Sequence, residues 1–104
     1  MGASWEGFVL EQALQILHPN AEYFWGTHAG AELDLVFQSG GNRYGIEIKF
    51  NEAPTLTPSM RIASSELSLE HLWIIYPVNE TYPLMKNITA LSLKNLETIR
   101  EEIK

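Results

Sequence analysis

Asp34, Glu47 and Lys49 are the residues whose types and spacing could do chemistry. Two carboxylates and an ammonium, brought together, can hold a divalent cation and orient a water or a phosphate oxygen. Magnesium suits such a pair, because it prefers hard oxygen ligands and takes one or two carboxylates plus waters.

Two arms must position them. Residues 31–38 (Ala-Glu-Leu-Asp-Leu-Val-Phe-Gln) and 43–50 (Arg-Tyr-Gly-Ile-Glu-Ile-Lys-Phe) flank Ser39-Gly40-Gly41-Asn42. Gly-Gly before Asn is a strong hairpin signal, because both glycines accept positive φ. Period two places Leu33, Leu35 and Phe37 on one face of the first arm, and Glu32, Asp34, Val36 and Gln38 on the other. In the second arm Tyr44, Ile46, Ile48 and Phe50 oppose Arg43, Gly45, Glu47 and Lys49. A Gly40-Gly41 turn pairs Ser39 with Asn42. Continuing outward, Gln38 meets Arg43, Val36 meets Gly45, Asp34 meets Glu47 and Glu32 meets Lys49. A bulge would break this register, since a one-residue slip moves side chains to the other face.

Like charges directly opposite on a sheet destabilise it, by up to about 1 kcal/mol. Asp34 facing Glu47 becomes sensible if a divalent cation lies between the carboxylates, or if one of them is protonated. Lys49 shares their face. The plain alternatives are Glu32–Lys49 as an ordinary ion pair with Asp34 and Glu47 splayed into solvent and the pairing slipped, or Glu32–Lys49 and Asp34–Arg43 both as ordinary surface ion pairs.

Asp on one strand followed by Glu-x-Lys on the next resembles the signature of the PD-(D/E)xK phosphodiesterase superfamily, the restriction-endonuclease-like fold. Trp5-Glu6-Gly7-Phe8-Val9 resembles its helix-one glutamate segment. Tyr23-Phe24-Trp25-Gly26-Thr27 leads into Gly30-Ala31-Glu32-Leu33-Asp34-Leu35-Val36, and Ile46-Glu47-Ile48-Lys49 follows. That order is most similar to the C-terminal nuclease-like domain of prokaryotic AAA-type ATPases. The resemblance implies that Asp34, Glu47 and the carbonyl of Ile48 hold Mg²⁺ or Mn²⁺. It implies that Glu6 assists directly or through water, and that Lys49 positions the attacking water. It also implies an ATPase domain or another protein as partner.

At 104 residues the chain is read as a single nuclease-like domain, residues 1–104. Met1-Gly2-Ala3 before a clean helix start fits a domain excised from the C-terminus of a larger ATPase. With 45% apolar and 11% aromatic residues the composition is that of a globular protein. The absence of cysteine excludes a disulfide framework and a thiolate metal site. No apolar run is long enough to span a membrane, and no basic-then-apolar leader opens the chain, so the expected location is cytoplasmic. Seven Lys and Arg stand against 13 Asp and Glu, a net charge of −6. That balance disfavours strong nucleic-acid binding by this domain alone, since phosphate contacts normally supply most of the affinity.

The remaining elements follow in order. Residues 4–17 read as a helix capped by Ser4, with Trp5, Phe8, Val9, Ala13, Ile16 and Leu17 as its apolar stripe and Glu6 beside it. Glu6 either reaches over the sheet edge toward Asp34 or is a solvated first-turn acid. Residues 21–25 form a short strand, and His28 lies in the loop beyond, either exposed or near the site. Thr57-Pro58 starts a helix to about residue 67, with Met60, Ile62, Ala63 and Leu67 apolar and Arg61 either exposed or on a phosphate. Residues 71–77 read as a central strand buried on both faces, parallel to the arm carrying Lys49. Residues 82–85 contain Pro83 and so form an edge strand or none. Residues 88–91 are another strand, and Ser92 caps a last helix over 93–103. The expected fold is α/β: an αβββαβ core with a mixed central sheet flanked by helices, plus a C-terminal β-α extension. Function divides between a metal-dependent nuclease and a nuclease-like domain that docks to an ATPase or a partner protein without catalysis.

Overall fold

The computed structural model describes residues 2–17, 21–26, 32–50, 53–77 and 79–103. In chain order the elements are α1 (Gly2–Leu17), β1 (Ala21–Gly26), β2 (Glu32–Ser39), β3 (Asn42–Ile48), α2 (Pro58–Glu66), β4 (His71–Tyr76), β5 (Tyr82–Met85), β6 (Ile88–Ser92), a 3₁₀ turn (Leu93–Asn95) and α3 (Thr98–Glu102). The strands form one six-stranded mixed sheet in the order β1-β2-β3-β4-β6-β5. β1, β2 and β3 run antiparallel, β3, β4 and β6 run parallel, and β5 pairs antiparallel to β6.

The hairpin register agrees with the expectation as far as it is paired. Ser39 faces Asn42, Gln38 faces Arg43, Val36 faces Gly45, and the ladder runs on to Leu35 opposite Ile46. Gly40 and Gly41 have φ of 59° and 84°, the two positive values that a tight primed turn requires. The strand bearing Trp73 is parallel to β3 and buried on both faces, and α2 is the crossover between them. Pro83 sits in β5, the outermost strand of its side.

Helices cover both faces. Val9, Ala13 and Leu17 of α1, with Leu96 and Ile99, pack on Leu35, Phe37, Tyr44, Ile46, Ile48, Trp73 and Ile75. Met60 and Ala63 of α2, with Leu67 and Leu69, pack on Leu33, Val36, Leu72, Ile74 and Ile88. Thr57 caps α2 as its sequence suggests: Oγ1 accepts from the Met60 N–H at 3.2 Å, and Pro58 opens the helix. At the other end Ser68 takes φ 52°, Leu69 N–H donates to the Ser64 carbonyl at 3.0 Å, and Arg43 Nη1 donates to the Leu67 carbonyl at 2.9 Å. A cation at a helix C-terminus is favoured by the helix dipole.

The structure corrects the expected pattern in five places. Leu33 does not share a face with Leu35 and Phe37; it packs beside Val36 under α2. Tyr23 pairs with Val36 but Trp25 pairs with Leu33, so Asp34 and Leu35 stand against the single residue 24. β2 therefore bulges at Asp34, and the alternation shifts there. β3 stops at Ile48, so Phe50 leaves the core face and is 39% exposed. Phe8 is 56% exposed, because it lies about 100° round the helix from Val9, off the buried stripe. Ile62 is exposed on the outer side of α2. The last helix is broken into the 3₁₀ turn and α3, and Ser92 makes no side-chain cap. Its N–H donates to Thr81 Oγ1 at 2.9 Å, while Thr98 Oγ1 donates to the Asn95 carbonyl at 2.6 Å, side-chain bonds that compete with a continuous helix.

Gly45 is where the α2 layer comes closest to the sheet. A Cβ there would lie 2.9 Å from Leu33 Cδ1 and Leu69 Cδ1 and 3.1 Å from Leu72 Cδ1. All three leucines are buried, so none can move freely. Gly45→Ala is expected to destabilise the fold by about 1–3 kcal/mol through overpacking. Urea unfolding checks this, and a midpoint equal to that of the parent chain would contradict it.

On the opposite face Phe37, Tyr44, Trp73 and His71 follow one another, with ring centroids 5.5, 5.6 and 4.7 Å apart. His71 is half-buried and its Nε2 lies 2.7 Å from Thr89 Oγ1. Burial lowers its pKa below 6.5, against the opposing charges of Glu102 and Glu70. The unfolded chain therefore protonates His71 before the folded one does. Its share of stability is intact above 6.5 and is lost as pH falls from there through the folded value. Thermal unfolding between about pH 7 and pH 5 should show a shallower loss of stability for His71→Gln than for the parent chain. Parallel pH profiles would rule the effect out.

Candidate functional site

The site is built where the antiparallel and parallel halves of the sheet meet. β2 and β3 are paired up to Leu35 and Ile46. One step beyond, where Asp34 would face Glu47, the bulged Asp34 turns its carboxylate to the backbone of β3. Oδ2 accepts the Ile48 N–H at 2.8 Å. On its other side β3 stays tied to β4, with the Lys49 N–H donating to the Ile75 carbonyl at 2.8 Å. The end of β3 is thus held from both sides, by a side chain and by a strand.

Glu47 and Lys49 flank Ile48. Lys49 Nζ lies 3.7 Å from Glu47 Oε2, with side-chain exposures of 46% and 16%. An ion pair this exposed on the lysine side contributes less than about 1 kcal/mol. It holds the ammonium beside the carboxylate while leaving it open to solvent. The Glu-x-Lys spacing thus gives the shared face expected of it. The lysine's described partner is Glu47, whereas the expected cross-strand partner was Glu32, whose side chain lies outside the described residues. Arg43 is at the turn end of the hairpin, committed to the Leu67 carbonyl, so the Asp34–Arg43 ion pair of the second plain alternative does not form.

The first turn of α1 reaches the same end of the sheet. The Trp5 ring meets the Phe50 ring edge-on at 5.7 Å between centroids. Glu6 follows Trp5 within α1, but its side chain lies outside the described residues, as do His28 and the side chain of Trp25. Arg61 is exposed and lies elsewhere: it lines a cleft of about 720 Å³ with Pro58, Ile62, Met85 and Asn87. None of Asp34, Glu47 and Lys49 borders that cleft.

Among the described residues, no group of three or more His, Asp or Glu side chains is placed to hold a metal ion. What the chain presents is Asp34 with Oδ2 on the Ile48 N–H, Glu47, and the backbone at Ile48. This hard oxygen set fits magnesium or manganese, which retain several waters when the protein supplies only one or two carboxylates. The sequence reading missed two features here. The bulge is hidden because Leu35-Val36-Phe37 is apolar on both faces. The Trp5–Phe50 contact is hidden because Phe50 fits a longer strand, although the polar Asn51-Glu52 that follows is a stop signal.

The Asp34 contact can be separated from its charge. Asp34→Asn keeps an acceptor oxygen for the Ile48 N–H, whereas Asp34→Ala leaves that part-buried donor without its partner. An unsatisfied buried donor costs about 1–3 kcal/mol. Amide exchange at Ile48 should speed up in Asp34→Ala and stay slow in Asp34→Asn. Equal exchange in both variants would show that the carboxylate does not hold the strand end.

Residues 1–96 match the family described as a domain of unknown function, DUF4143. Uncharacterised proteins of Mycobacterium tuberculosis and Mycobacterium bovis are each 44% identical to it over 98 residues. That match covers 94% of this chain and 22% of each relative, so the chain spans about a fifth of the length of the curated relatives it matches. No solved structure matches it significantly. With the match running over nearly the whole of its length, the chain belongs to the DUF4143 family.

Proposed function

We propose that this chain is a metal-dependent phosphodiesterase domain of the PD-(D/E)xK, restriction-endonuclease-like kind, acting on nucleic acid in the cytoplasm as one part of a longer, ATPase-containing protein. The observation that carries the reading is the Asp34 carboxylate bonded at 2.8 Å to the Ile48 N–H, beside the Glu47–Lys49 pair. The element order supports it as well: a helix, three antiparallel strands, a crossover helix and a parallel strand reproduce the αβββαβ arrangement.

In this reading Asp34 and Glu47, with the Ile48 carbonyl, hold Mg²⁺ or Mn²⁺, and Glu6 assists from the first turn of α1. The bound cation would polarise a phosphoryl oxygen and lower the pKa of a coordinated water. Lys49 orients the attacking water and offers a proton donor to the phosphate. Glu47 keeps the ammonium in place between turnovers.

A second reading has its own support. The net charge of −6, with only seven Lys and Arg, gives the domain little grip on phosphate. A nuclease-like domain that docks to an ATPase or another partner, without hydrolysis, accommodates that balance. Where catalysis does occur, the rest of the longer protein supplies the grip.

Manganese calorimetry distinguishes the two without a guess about substrate. The nuclease reading expects micromolar-to-millimolar binding by the parent chain, and its loss in Asp34→Asn and Glu47→Gln with folding intact. Lys49→Ala should keep the metal and lose about 10²–10⁴-fold in phosphodiester hydrolysis. Absence of binding in a folded parent chain would rule the hydrolytic reading out and favour the docking one.

A further inference from the structure

One side of α2 is buried through Met60, Ala63 and Ser64. On the other side Pro58, Arg61, Ile62, Ser65 and Glu66 line the open cleft of about 720 Å³, with Met85 from the end of β5. Ile62 and Met85 are 40% and 39% exposed, two of the four large apolar side chains so open to solvent among the described residues. At 3.6 residues per turn the five helix positions fall on one stripe. Pro58, Ile62 and Ser65 run along its middle, and Arg61 and Glu66 lie on opposite flanks. This is the spacing of one heptad, with Ile62 at a, Pro58 and Ser65 at d, Arg61 at g and Glu66 at e.

The two flanking charges serve nothing within the chain. Neither side chain makes an ion pair among the described residues. Five positions apart, they stand about 140° round the helix from each other and do not face one another. Their placement also opposes the helix dipole. Arg61 is the fourth and Glu66 the last of the nine residues of α2, so the cation lies near the positive end and the anion at the negative end. Between two parallel helices, however, a g residue meets the e residue five positions further along the partner, and such pairs set partner choice and orientation. We propose that two copies of this chain pair through α2, side by side and parallel about a two-fold axis, with Ile62 packed on the partner's Ile62 and Arg61 paired with the partner's Glu66. A two-fold contact is self-complementary, so each charge pair occurs twice. Met85 beside Ile62 widens the apolar contact. One heptad makes a short seam, and the dimer exchanges with the monomer. None of Asp34, Glu47 and Lys49 borders the cleft, so the pairing stands independently of the phosphodiesterase reading.

Sedimentation equilibrium over a micromolar-to-millimolar concentration series tests this. The parent chain is compared with Ile62→Gln, Arg61→Glu, Glu66→Arg and the double reversal Arg61→Glu/Glu66→Arg. All three positions are exposed, so the fold is expected to survive each change, and urea unfolding at low concentration checks that it does. The parent chain should show a monomer–dimer equilibrium. Ile62→Gln should weaken it about tenfold or more. Each single reversal should do the same, because it turns two attractive pairs into two repulsive ones. The double reversal restores both pairs with their signs exchanged and should return dimerisation to the parent value. It also places each charge at the favourable helix end, so its monomer should unfold no earlier than the parent. A parent chain that stays monomeric up to millimolar concentration overturns the proposal. So does a dimer indifferent to Ile62→Gln or to the single reversals, or a double variant as weak as the singles.

Discussion

A carboxylate replaces a strand at the point on which this structure turns. Where β2 and β3 part, the Ile48 N–H would be left unpaired, and Asp34 Oδ2 accepts it at 2.8 Å. A part-buried donor without a partner is expensive, and a charged acceptor makes the stronger kind of hydrogen bond. That single bond lets the hairpin open without unravelling the edge of β3. Past this point Lys49 is open to solvent, 46% exposed, with Glu47 beside it at 16%.

The bulge in β2 makes the bond possible. Asp34 and Leu35 stand against one residue of β1, so Leu33 falls under α2 while Leu35 stays under α1. Both apolar layers remain filled. Asp34 is freed from the regular alternation and turned toward β3, the re-aiming for which bulges are known. Gly45 then belongs to the same arrangement, because the displaced Leu33 occupies the space a Cβ would need. A residue chosen for the absence of a side chain thus answers to a carboxylate on the neighbouring strand, through one leucine.

Much of this was legible in the sequence, and the reasons differ by element. The Gly40-Gly41 turn, the Thr57-Pro58 helix start and the apolar run of β4 are local signals, each set by backbone or burial constraints that neighbours do not alter. They put Glu47 and Ile48 on the strand after the turn, which ends at Ile48 and so just short of Lys49. The facing of Leu33 was not legible, because Leu33-Asp34-Leu35-Val36-Phe37 satisfies a bulged strand and a regular one equally well. Helical spacing put Phe8 on the sheet-facing stripe and strand alternation put Phe50 on the face of Ile46 and Ile48, yet both are exposed. Helical spacing near the chain end suggested one helix, but the hydroxyls of Thr81 and Thr98 and the Asn95 side chain draw the backbone into two short pieces.

The charge balance and the site geometry bear on each other. A net charge of −6 is unfavourable for a protein that must approach a polyanion unaided. Yet part of that charge is Asp34 and Glu47, and their carboxylates are what a divalent cation requires. Binding the cation would add two positive charges at the point where phosphate must arrive, and Lys49 adds a third beside it. In the proposed reading the cation and Lys49 would offset the negative charge at one end of the sheet. The proposed reading leaves delivery of nucleic acid to the rest of a longer protein, since the chain spans about a fifth of the length of the curated relatives it matches.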